Sequence, residues 1–250
     1  YYVASRFELN NEGNYYYGGF QNTWNYNSAT ISHGSYTTND GTLTDDYTWV
    51  GNNPGTTITS DITIRNDVTF TGNLTIDSGI TVFIDAGASL IVDGNITNNG
   101  TIVVDSNSDK FGVIYSTGTT NFDIEYRRWV NHADGGWDLI GPPVDDLTLT
   151  DFINDNDNLI ATNGSSIPTT YGVGYYLTHN DSWINYNDNT LSGNSLSPSR
   201  GYQMASESGN KLIFKGEYVL SAHQMGITNH VSGSGSRWNL VANPFSSYIG

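Results

Sequence analysis

Between Asp61 and Asp105 the chain repeats one short pattern, an apolar triplet followed by Asp and, in most copies, Gly. The copies are Leu74-Thr75-Ile76-Asp77-Ser78-Gly79, Val82-Phe83-Ile84-Asp85-Ala86-Gly87, Leu90-Ile91-Val92-Asp93-Gly94 and Ile102-Val103-Val104-Asp105. Each holds residues enough for a single short strand. Pairs such as Leu74 and Ile76, or Val82 and Ile84, face one interior, because successive side chains of a strand point to opposite sides. The Asp-x-Gly and Asp-Gly steps are turn formers. Units this small bury an apolar face only by stacking, so the pattern predicts a β-solenoid, a rigid rod or platform rather than a pocketed fold.

The rest of the chain is compatible with an all-β protein. Of 250 residues only 14% are charged, and polarity comes mainly from Asn, Thr, Ser and Asp, the residues of turns and strand surfaces. A formal net charge of -16 repels phosphate backbones and anionic membranes, so nucleic acid is excluded as an expected partner. Oxygen-rich acidic loops instead suit calcium, the candidate structural ion. With no cysteine there is neither a disulfide framework nor a zinc–thiolate site. No stretch approaches the roughly 18 apolar residues of a membrane helix, so membrane insertion is not expected. The chain opens on Tyr1-Tyr2 rather than Met, which reads as a processed export product or an internal piece of a longer protein.

Four regions follow from the patterning. Residues 1–50 form an aromatic, Gly- and Asn-rich β region expected to pack on the solenoid. Residues 51–120 carry the solenoid repeats. Residues 121–227 show longer aromatic strands such as Gly172–Thr178 and Lys211–Gly216, spaced as in a β-sandwich module. Residues 228–250 read as the start of a second, truncated sandwich copy. There Asn229-His230 and Trp238-Asn239-Leu240-Val241-Ala242-Asn243-Pro244 repeat Asn131-His132 and Trp137-Asp138-Leu139-Ile140-Gly141-Pro142-Pro143. In this reading Trp137 and Trp238 are core anchors, since a duplicated Trp more often fills a core than a surface.

The stretch from Trp49 to Asp105, with Trp49-Val50-Gly51-Asn52-Asn53-Pro54 leading into its rungs, resembles repeat segments of large surface proteins exported by the type IX secretion system of Bacteroidetes. The Trp238–Phe245 box and Gly201-Tyr202-Gln203 are similar to sandwich modules of the same proteins. The resemblance implies dealings with the secretion machinery, an extracellular or outer-surface location, and adhesion or carbohydrate contact.

Candidate ligand-binding residues are Tyr16, Tyr17, Trp24 and Tyr26 in the N-terminal aromatic cluster, and Trp183 after the polar loop Asn180-Asp181-Ser182. Aromatic faces stack on the C–H side of sugars while neighbouring Asn and Asp bind hydroxyls. The competing reading is sheet packing, since Tyr is also a favoured strand residue. Asp151, Asp155 and Asp157 are the candidate metal ligands in an Asn- and Asp-rich stretch. Their spacing mimics the start of a calcium loop but lacks its Gly and closing Glu, and a solvated turn explains the composition equally. Nucleophile elbow, His-Glu-x-x-His and phosphate-loop motifs are absent, so no catalytic residue is assigned. The expectation is a non-enzymatic adhesin-like or structural protein contacting glycans or other surface proteins. Its alternatives are a non-catalytic part of a secreted polysaccharide-degrading enzyme, or a subunit of an extracellular filament.

Overall fold

The computed structural model describes residues 35–44, 48–50, 54–132, 134, 136–221, 223–228 and 238–247, together with the backbone of 7–9 and 15–17. The first compact unit, Tyr1–Gly34, contains an antiparallel pair, β1 (Phe7–Leu9) and β2 (Tyr15–Tyr17). The second unit, Ser35–Gly250, carries everything that follows.

Apart from one α-helix and short 3-10 turns, the regular structure among the described residues of the second unit is β. Its first half is a solenoid with three faces. The first face stacks β3 (Ser35–Thr37), with β5 (Trp49–Val50) folded against it, β7 (Ile62–Ile64), β10 (Thr81–Ile84) and β13 (Thr101–Val104). A second stacks β4 (Gly41–Thr42), β8 (Asp67–Thr71), β11 (Ser89–Asp93) and β14 (Val113–Ser116). On the third lie β6 (Thr57–Ile58), β9 (Leu74–Ile76) and β12 (Ile96–Asn98). Pairing from rung to rung is parallel and in register: Val82 lies opposite Ile62 and Ile102, and Leu90 opposite Val68 and Ile114. The predicted apolar positions are the ones that fill the interior, with Ile64, Leu74, Ile76, Val82, Ile84 and Leu90 fully buried.

Backbone pairing is reinforced by polar side chains that reach one rung forward. Asp61 Oδ1 accepts from Thr81 N at 2.8 Å, Asn73 Oδ1 from Asn95 N at 2.9 Å, and Asn95 Oδ1 from Thr119 N at 2.8 Å. Asp77 and Asp85 form the expected turns, their carbonyls accepting from Ile80 N and Ala88 N across Gly79 (φ 78°) and Gly87 (φ 91°). Asp105 differs. It is largely buried, and Lys211 Nζ donates to both its oxygens at 2.7 and 2.8 Å.

The solenoid begins earlier than its sequence pattern. Ser35–Thr37 and Gly41–Thr42 already pair in parallel with the next rung, although neither contains an apolar triplet. Leu43 and Trp49 fill that rung's interior, and Trp49 Nε1 donates to Leu43 O at 2.6 Å.

At its other end the stack meets β15 (Asp123–Val130), which pairs in parallel with β13 and antiparallel with the later strand β21 (Asn210–Tyr218). That switch of direction closes the solenoid, because β21 occupies the edge a further rung would need. One sheet of eight strands therefore runs across the boundary read near residue 120, with β17 (Val144–Asp145) at its far edge. The second half adds a four-stranded sheet in the order β16 (Asp138–Ile140), β20 (Tyr202–Met204), β18 (Thr170–Leu177), β19 (Ser182–Asn187). Side chains of both sheets join one buried cluster, among them Leu212, Phe214, Val173 and Met204.

Helix α1 (Leu149–Asp155) enters this core through Leu149, Phe152 and Ile153. Thr148 caps it, accepting from Asp151 N at 3.1 Å, as its hydroxyl suits. The acidic stretch, for which a solvated turn was the competing reading, is thus helical through Asp155, and Asn156 is fully buried. Its carboxamide donates to Ile213 O and accepts from Ile213 N, replacing an adjoining strand at that edge of β21. Both Trp expectations need correction. Trp137 is 41% and Trp238 77% exposed; the duplicated feature that holds structure is the next residue. Asp138 grips Asn131 N and Nδ2 at 2.8 Å, and Asn239 grips Thr228 N and O at 3.0 and 2.8 Å. No helix of the described residues is long and apolar enough to cross a membrane.

Candidate functional site

Eight of the fourteen residues of the hairpin β18–β19 are aromatic or β-branched, the types that favour pleated sheet. Asn180 N donates to Leu177 O at 3.1 Å in its turn, and Asp181 takes a left-handed conformation (φ 53°), tolerated by a short polar side chain. Alternation then sorts the side chains. Val173 and Tyr186 face the core with Tyr202 and Met204, whereas Gly174, Tyr176, Trp183 and Asn185 share the outer face with Gln203 and Leu139.

On that outer face Tyr176 lies directly opposite Trp183, ring centroids 5.3 Å apart and planes at 64°. The Tyr176 hydroxyl donates to Asp181. Trp183 is 43% exposed although it is a large apolar ring on an edge strand. Beside the pair the surface is level, for a physical reason. A Cβ on Gly174 would sit 2.6 Å from Asn185 Oδ1, so the glycine lets the carboxamide lie across the strand. Asn185 is held there by donating to Tyr171 O at 2.9 Å and accepting from Gln203 Nε2 at 2.5 Å. At the base of the hairpin Tyr171 donates to Asp188 at 2.8 Å. Burial, and then this bond, push the Tyr171 phenol up to about 12, and the same bond holds the Asp188 carboxyl below its usual range.

An exposed aromatic corner on a fixed polar shelf can stack on a sugar ring and leave hydroxyls within reach of side-chain oxygens. The structure thus places the predicted Trp183 in such a corner and adds Tyr176 and Asp181, which sequence reasoning passed over. The missed signal was the pairing of the two arms: folding the chain back at the 178–181 turn sets Tyr176 opposite Trp183 on one face. Of the other aromatic candidates, Tyr16 and Tyr17 are described only as backbone of β2, and Trp24 and Tyr26 lie outside the described residues.

The acidic candidates fall elsewhere. Asp151 is engaged with Thr148 at 2.6 Å and Asp155 with Lys215 at 3.0 Å, while Asp157 lies beyond α1. Among the described residues no group of three or more His, Asp or Glu is placed to hold a metal ion. Asp151 and Asp155 do line an open cleft of about 590 Å³ with Asp123, Glu125, Asp146 and Glu217, drawn from distant segments around Lys215. Burial, followed by Asp146, Asp123 and Asp145, raises the Glu217 carboxyl, and Lys215 also approaches Glu125 at 4.0 Å. A second cavity, of about 390 Å³, lies between Phe111, Leu139, Pro143 and the segment Leu240–Ser247, with Arg128 stacked over Phe111 at 3.7 Å. No protein-family model, curated protein or solved structure matches the chain.

Proposed function

We propose that the protein is a non-enzymatic, exported scaffold that presents the outer face of the β18–β19 hairpin to carbohydrate at a cell surface. The observation that carries this reading is the exposed Trp183 set edge-on against Tyr176, on a sheet whose opposite face is buried. Large rings are costly to leave in water, and an ordered exposed pair on a level polar shelf is the arrangement sugar stacking needs. Export is supported by the resemblance of the repeats to type IX cargo. The laddered solenoid supplies stiffness, so that many weak contacts add through effective concentration.

The reading is tested by affinity electrophoresis through a panel of soluble polysaccharides, comparing the wild-type protein with Trp183→Ala and Tyr176→Ala. Retardation in at least one gel, falling about tenfold or more in both variants while their unfolding midpoints stay close to wild type, is the expected result. Retardation indifferent to both substitutions, or none in any gel, overturns it.

A further inference from the structure

We infer that this face selects glycans carrying positive charge, amino sugars with free or alkylated amines, over neutral or anionic ones; the inference rests on the carbohydrate reading above. Two rings meeting at 64° form a corner open to solvent, and ring faces attract cations. Asp181, bonded to the Tyr176 hydroxyl at that corner, adds a carboxylate. The outer-face residues Leu139, Gln203, Gly174, Asn185, Tyr176 and Trp183 include no Lys or Arg. Arg200 lies on the opposite side of the sheet, stacked over the core-facing Tyr175 at 4.3 Å. Within 170–188 the one basic side chain is His179, against the two acids Asp181 and Asp188. The chain's net charge of -16 draws cations and repels uronates and sulfates at longer range.

The experiment is isothermal titration at pH 8 and low salt with three oligosaccharides, and with oligolysine. The sugars are trimethylated chito-oligosaccharide, its fully N-acetylated counterpart and oligogalacturonate. The trimethylated sugar is expected to bind about tenfold more tightly than the acetylated one, combining one exposed cation–π contact with one exposed charge contact. Asp181→Asn keeps an acceptor for Tyr176 and suits the left-handed conformation, so it should fold normally while narrowing the gap to about threefold. Trp183→Ala should abolish binding of both. Equal binding of the trimethylated and acetylated sugars overturns charge selection and leaves the carbohydrate reading standing. Oligolysine binding as tightly as the trimethylated sugar overturns glycan selection. Failure of all three sugars here, together with failure of the polysaccharide panel, removes both.

Discussion

The two halves of the second unit use the same strand alphabet to opposite ends. In the solenoid, apolar side chains turn inward and polar ones reach along the stack, so Asp61, Asn73 and Asn95 bond the next rung. In the four-stranded sheet one face is spent on the core, and the other keeps Tyr176, Trp183 and Leu139 at the surface. The first half is therefore held by repetition and the second by particular side chains. Apolar surface without a partner in the fold is where binding is to be sought.

This contrast can be broken most forcefully in the solenoid interior. Ile84→Ala removes a fully buried side chain paired between two rungs, and should destabilise the second unit by about 2–5 kcal/mol in urea unfolding. A loss below about 1 kcal/mol would mean that the rungs relax independently. Next in size, Asn156→Ala strips Ile213 of both side-chain bonds at a buried edge and should cost about 2–3 kcal/mol, with α1 loosening first in hydrogen exchange. Only this second loss should be specific to one side chain, as the comparison of the halves requires.

A smaller effect concerns pH. Burial, then Tyr202, raises the Tyr186 phenol to about 12. A phenol whose pKa is raised on folding stabilises fully below its unfolded value near 10 and loses that contribution as pH climbs to about 12. Stability should thus fall between pH 10 and 12, and ultraviolet titration should show this tyrosine ionising late; Tyr186→Phe should flatten the decline. Smallest is Glu217→Gln in the acidic cleft. Glu217 has its carboxyl raised on folding, so its charge weakens the fold above the carboxylate range. The substitution should raise the melting temperature at pH 7 by no more than about 2 °C, and by nothing near pH 3.

The solenoid was legible because stacking repeats its requirement every rung: Val82, Leu90 and Ile102 state in sequence what their neighbours need. The rung at Ser35–Thr42 was not read as part of the stack, since its strands carry no apolar triplet and its interior comes from Leu43 and Trp49 outside them. The duplicated Trp misled for a related reason. Recurrence marked the place correctly, but the repeated physical task belongs to Asp138 and Asn239, whose side chains grip the preceding chain. Likewise Asn156 looked like one more turn residue until the edge of β21 required an amide.

Local pattern alone, then, was sufficient for the strands, turns and inward face of the stack between Asp61 and Asp105, since those depend on neighbours two residues or one rung away. It also marked Trp183 as a residue to watch. That Tyr176 and Asp181 join it, that Gly174 levels the surface beside them, and that Lys211 meets Asp105 from 106 positions away, came from the folded chain. Such meetings depend on which strands become neighbours and in what register, and a short-range pattern carries no record of either.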